Sequence, residues 1–381
     1  MKAWIALLSL LLVAGCATTP PPPRPEGVFG DHLFRAPAAR ISAAEVFAVS
    51  GEMRAYVDAE IAPQVRTKGR QQALVDALYR KSGLRLEYDS AATRNAAQAF
   101  EARAGNCLSL VIMTAAFAKE LGLPVEYQRV LVEDTWSRSG DIYLVAGHVN
   151  LTLGRRIADG GVWRRDGDLL TIDFLPPREL RGLRTQGLAE ATVVAMYMNN
   201  RAVEALAQGQ LDDAYWWARE AIVQDPGFLS AYNTLGAVYQ RRGHAQEAER
   251  VFAQVLARDP RNTQVMSNLV VALDDLGRTD EARALSRRLA ELDPVPPFSY
   301  FNRGRAAMTA GDVRTARELF AKEVARAPYY HEFHYWLAVA EAALGEVESA
   351  RVHLALAMEN STTRGDHDLY AAKLERIKSG R

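Results

Sequence analysis

Three residues of this 381-residue chain have types and surroundings suited to nucleophilic chemistry: Cys107, His148 and Asp173. A thiol needs a base to take its proton, and the base needs a carboxylate to hold its tautomer and orientation. Cys107 follows Gly105-Asn106 and opens an apolar run to Leu121 that reads as a helix. Its sulfur therefore stands among unpaired N–H groups, where an anion is best tolerated. His148 comes 41 residues later, inside a strand-like run, and Asp173 a further 25 residues on, in the next one. Polar side chains within such runs need partners, and each serves the other. The same residues also admit a plainer reading: a small core cysteine, a structural histidine and a capping aspartate.

The elements that must position them form an α+β pattern. Apolar periodicity predicts helices over 42–57 and 71–79, a short strand over 84–88 and a helix over 97–103. After a break at Gly105 comes the helix 107–121, ended by Gly122 as a C-terminal glycine ends one. Strand-like runs follow at 125–132, 142–153 and 169–174, punctuated by Gly140 and Asp166-Gly167. Helices first and an antiparallel sheet second is an α+β arrangement.

The segments Arg103-Ala104-Gly105-Asn106-Cys107-Leu108-Ser109-Leu110, Gly147-His148-Val149-Asn150 and Thr171-Ile172-Asp173-Phe174 resemble the transglutaminase-like core. The resemblance covers roughly residues 70–180 and keeps that superfamily's chain order, Cys then His then Asp. It implies a papain-like fold with Cys107 as nucleophile, His148 as general base then acid, and Asp173 as orienter. The backbone N–H of Cys107 would donate to the oxyanion. Arg103, Asn106 and Trp136 are weaker candidates for substrate or oxyanion contacts, with bracing of the loop the stronger reading of Arg103. The superfamily also contains members that only bind or scaffold.

From about residue 190 a different order takes over. Gly209, Gly243, Gly277, Gly311 and Gly345 stand 34 residues apart. Ala214, Ala248, Ala282, Ala316 and Ala350 keep the same step, as do Pro226, Pro260, Pro294 and Pro328. A glycine turn, a small residue where two helices touch and a proline ending the second describe a repeated helix pair. The pattern resembles the tetratricopeptide repeat over about 195–364, with a capping helix over 366–377. The resemblance implies an all-α solenoid that binds a protein or peptide on its concave face. Asn200, Asn268 and Asn302 recur at one position of the first helix and are candidates for holding a peptide backbone; Thr234 interrupts the row, with Asn233 one place earlier. Aromatic residues such as Trp216, Trp217, Tyr329, Tyr330 and Trp336 read as inter-repeat core. His331 and His334 are a pair, which is short of a metal site.

At the N-terminus Lys2, the apolar run 5–13 and Val13-Ala14-Gly15-Cys16 resemble a bacterial lipoprotein signal with a lipidated Cys16. The apolar run is too short to span a bilayer. The resemblance implies a lipid anchor in the cell envelope, with the outer membrane favoured because Ala17, not Asp, follows the cysteine. The expected organisation is a signal over 1–16, a proline-rich tether over 17–40, a transglutaminase-like domain over 41–185 and the repeat solenoid over 190–380. Lys plus Arg equals Asp plus Glu, 46 each, so no whole-chain field draws in nucleic acid. Neither a phosphate-cradling glycine loop nor Cys/His ligand spacing is present, so no metal or cofactor is implied. Two functions stay open: a membrane-anchored cysteine acyl-transfer enzyme, preferably a peptide hydrolase, or a non-catalytic assembly scaffold.

Overall fold

The structure is a computed structural model that describes residues 27–79, 83–90, 92–139, 142–159, 162–174 and 184–378. Cys16 and the signal 1–16 lie outside the described residues. Among the described residues no helix is long and apolar enough to cross a membrane.

Helix α1 (Gly51–Tyr56) starts on Ser50, whose Oγ accepts from Met53 N at 3.2 Å. One π turn (Val57–Ile61) leads into α2 (Ala62–Tyr79), broken at Gly69 where φ is 78°. The predicted helix over 42–57 thus begins later, since 43–45 form only a 3-10 turn. Strand β1 (Glu87–Tyr88) pairs in parallel with β2 (Ala104–Gly105) across α3 (Ala96–Ala102). Then α4 (Cys107–Glu120) runs to Leu121, and Gly122 turns the chain at φ 66°. Residues 108–118 of α4 are all buried, as expected of a helix that is apolar all round.

Four antiparallel strands follow: β3 (Val125–Ser139), β4 (Ile142–Asp159), β5 (Val162–Ile172) and β6 (Arg184–Leu188), in the order β5-β4-β3-β6. The first two extend well past their predicted ends, whereas β5 begins earlier than predicted and stops at Ile172, short of residue 174. The polar β6, which periodicity does not mark, carries the sheet beyond residue 185. Alternation along β4 puts Val149, Leu151 and Leu153 in the core shared with α4 and leaves His148, Asn150 and Thr152 on the other face.

Five helix pairs complete the chain: α5 (Glu190–Ala207) with α6 (Leu211–Gln224), α7 (Leu229–Arg242) with α8 (Ala245–Arg258), and α9 (Thr263–Asp275) with α10 (Thr279–Leu292). Then come α11 (Ser299–Thr309) with α12 (Val313–Arg326), α13 (His331–Ala343) with α14 (Val347–Glu359), and the final α15 (Arg364–Lys378). The five periodic glycines all have φ between 72° and 86°, and the five periodic alanines are at most 2% exposed. Each residue class therefore sits where its shape is needed.

Of the tether expected over 17–40, residues 17–26 lie outside the described residues, and residues 28–38 are packed against the first two repeats. Phe34 stacks on Tyr215 at 4.0 Å, and Tyr239 Oη donates to the carbonyl of Val28 at 2.8 Å. Backbone N–H groups of Arg35 and Ala38 donate to Asp212 and Asp213. One continuous apolar core runs from Val28 through the α+β part to Ala282. At the far end Ser90 N donates to the carbonyl of Thr362 at 3.0 Å, so the last repeat returns to the α+β part.

Candidate functional site

Cys107 sits at the start of α4 because Asn106 caps it: Asn106 Oδ1 accepts from Ser109 N and from Ser109 Oγ, both at 2.9 Å. Gly105 is required just before the cap, since a Cβ there would lie 2.7 Å from Ser109 Cβ. Cys107 itself is half-buried.

His148, 6% exposed in β4, contacts Asp173 through Nε2, 2.7 Å from Oδ1. Asp173 lies just past the last residue of β5 rather than within it. Its second oxygen, Oδ2, accepts from Asn150 Nδ2 at 2.8 Å, which fixes the carboxylate from both sides. Cys107 is the other neighbour whose charge and polarity act on the same imidazole. Burial by itself pushes the His148 pKa down; the hydrogen bonds with Asp173 and Cys107, and the charges of both, outweigh it and raise the value to about 9. These surroundings therefore favour the cationic form of the imidazole. The three residues singled out from the sequence stand together, in the order thiol, imidazole, carboxylate.

The weaker candidates fare differently. Asn106 acts as the helix cap, its Oδ1 accepting from Ser109 and one Nδ2–H donating to Thr93 Oγ1 at 3.0 Å. Arg103 is exposed, ends α3 at φ 50°, and accepts through its carbonyl from Glu87 N at 2.9 Å; it braces the β1–β2 pair. Trp136 falls on β3, and its side chain lies outside the described residues. Tyr88 escaped sequence reasoning. It is 42% exposed and stands close enough to Cys107 for each to act on the other's ionisation. Only its neighbour β2, not any motif, carries that information.

Beside Asp173 and Asn150 the sheet borders a cavity of about 1130 Å3, floored by Gln128, Thr152 and Thr171. Gln128 Nε2 donates to Thr152 Oγ1 and Thr152 pairs with Thr171, each at 2.9 Å.

In the helical half, Asn268 Nδ2 donates to Asn233 Oδ1 at 2.8 Å. The asparagine row therefore passes through Asn233, while Thr234 is buried and bonds back to Ser230 O. Asn200 is half-buried and Asn302 exposed. His331 and His334 diverge, the first to Tyr370 Oη at 2.8 Å and the second to His353 at 3.0 Å.

Tetratricopeptide-repeat family profiles match residues 239–299 and 301–362. The C-terminal half is a tetratricopeptide-repeat array. Solved structures similar to the chain include TTC0263, a thermophilic TPR protein of Thermus thermophilus (20% identity, 47% of this chain and 98% of that one, TM-score 0.30). YrrB, described as a TPR protein with an unusual peptide-binding site, is 23% identical over 47% of this chain and 92% of its own, with a TM-score of 0.26. MamA is 18% identical over 42% and 93%, TM-score 0.24. No curated protein matches the chain.

Proposed function

We propose that this protein binds a protein or peptide through its tetratricopeptide-repeat array and acts on an amide of the bound chain at Cys107. The binding half of the reading rests on the repeats, an architecture whose stacked helix pairs present extended recognition surfaces. The chemical half rests on one observation: His148 is nearly sealed from solvent, fixed by Asp173 at 2.7 Å and under the influence of Cys107. That arrangement, in this chain order, supports the transglutaminase-like reading of the α+β part.

In the proposed reaction Cys107 Sγ attacks the amide carbonyl carbon, and the C–N bond breaks as His148 gives its proton to the departing amine. The product is a thioester on Cys107. His148, now neutral, takes a proton from water, whose oxygen attacks the thioester carbon; the acid leaves and the sulfur returns to its starting state. The backbone N–H of Cys107 would then donate to the oxyanion. A primary amine in place of water would give cross-linking.

A scaffold that binds through the repeats without chemistry is the second reading, favoured by the repeat matches themselves. Alkylation of Cys107 by iodoacetamide across pH, read on its own peptide by mass spectrometry, separates the two. Fast modification below pH 7 that slows at least about tenfold in His148→Ala supports the enzyme. Equal rates in both proteins, or labelling only after unfolding, leave the scaffold. Attachment of the chain to a membrane through Cys16 is part of the proposal, and its test is fractionation: Cys16→Ser should move from the membrane pellet to the soluble fraction. Retention in the pellet would overturn it.

A further inference from the structure

The repeat array touches the N-cap of the Cys107 helix through a short run of hydrogen bonds. Glu204 and Arg201 lie one turn apart on α5, the first helix of the array, and Arg201 Nη1 donates to Glu204 Oε2 at 2.9 Å. Together they clamp the backbone of a single residue of the α+β part, Thr93. Thr93 N donates to Glu204 Oε1 at 2.6 Å, and Arg201 Nη1 donates to Thr93 O at 3.4 Å. Thr93 is 2% exposed, and its Oγ1 accepts from Asn106 Nδ2, the residue whose other amide atom caps α4 immediately before Cys107. The next residue doubles the link, with Arg94 N donating to Ser109 Oγ at 2.8 Å.

The structure assigns Glu204 and Thr93 as positioning residues for Cys107, so that the first repeat is a working part of the site and not only a binding module beside it. The assignment rests on the reading of Cys107 as a nucleophile. Its physical reason is that His148 is fixed from the sheet side, by Asp173 and Asn150, whereas Cys107 is fixed from the helix side, by its cap. Their mutual alignment needs both supports, and a displacement of about 1 Å at a reacting atom can cost orders of magnitude in rate. Glu204 supplies the helix-side support from a different architectural unit. A ligand that flexes the first repeat would then be felt at the thiol.

The test uses the full-length chain and the rate of iodoacetamide alkylation at Cys107 as a function of pH. Glu204→Ala removes the acceptor for Thr93 N, Glu204→Gln keeps one, and Thr93→Val removes the acceptor for Asn106 at nearly constant volume. Tyr127→Phe is the control: it deletes the Tyr127 Oη to Glu190 bond at 3.0 Å, in the same interface but off this path. The expected result is alkylation slowed at least about fivefold, with a shifted pH profile, in Glu204→Ala and Thr93→Val. Glu204→Gln should stay within about twofold of wild type and Tyr127→Phe should be unchanged. Wild-type rates in Glu204→Ala and Thr93→Val, or equal slowing in Tyr127→Phe, would overturn the assignment; if Glu204→Ala does not fold, Thr93→Val decides. His148→Ala, run in parallel, separates the two ideas. If it alkylates at the wild-type rate while Glu204→Ala and Thr93→Val are slow, the acyl-transfer reading falls and the positioning of Cys107 stands.

Discussion

At the scale of residues, the site turns on how His148 is held. Burial alone favours the neutral form of such a histidine, and two neighbours, Asp173 and Cys107, shift it the other way. The consequence for stability has a definite sign. The folded-state value of about 9 lies above the ordinary 6.5, so between those values the folded chain binds more protons than the unfolded one. The stabilisation is complete below about pH 6.5 and lost as pH rises through about 9, and is on the order of 3 kcal/mol in size. Denaturant unfolding at about pH 6 and about pH 9.5 should show wild type losing more stability on that rise than His148→Ala does. A wild-type loss no larger than the variant's would contradict the arrangement. The chain order and types of the three residues were legible before any coordinates, because such chemistry admits few residue types. The Tyr88 contact was not legible, since its only cause is the two-residue pairing of β1 with β2.

At the scale of elements, the helix pairs show how a local pattern becomes a packing rule. Gly236 on α7 faces Phe252 on α8, and a Cβ there would lie 2.3 Å from the ring; Gly304 and Phe320 repeat the arrangement at 2.6 Å. Glycine in a helix interior ordinarily costs about 1 kcal/mol against alanine, so its use here reflects the ring it admits. Gly236→Ala should destabilise by about 1–3 kcal/mol despite the better helix propensity. Phe252→Leu added to it should cost less than the sum of the two single changes, measured by a double-mutant cycle. Additive losses would mean the ring does not limit the site. The sheet was harder to read. Strands β3 and β4 overran their predicted ends, β5 began earlier than predicted, and β6 carries no apolar alternation at all, because its pairing with β3 is made by backbone groups that every residue has.

At the scale of the whole molecule, the parts expected to be separate are continuous. The segment 28–38 lies across the first two repeats, with Phe34 between Tyr215 and the Arg242 guanidinium, 5.3 Å from its ring. Phe34 is 8% exposed, so Phe34→Ala should lower stability by about 2–4 kcal/mol and open 27–40 to protease cleavage that wild type resists. Unchanged cleavage would show that the polar contacts alone hold the segment. At the other end, the Ser90 to Thr362 bonds join residues 272 positions apart. The array is thus fastened to the α+β part at its first helix and near its last.

The amino-acid sequence by itself determined the repeated helix pairs, their glycine turns and alanine contacts, and it singled out Cys107, His148 and Asp173 as candidates. Each of these follows from spacing along the chain or from the scarcity of groups able to do the chemistry. Only the tertiary structure decided that Phe34 docks on the repeats, that Asn233 rather than Thr234 continues the asparagine row, and that Glu204 holds the cap of the Cys107 helix. The physical reason is common to all three. They depend on where distant segments meet, and often on a backbone N–H or carbonyl at the meeting point, which leaves no periodic mark in the residues that carry it.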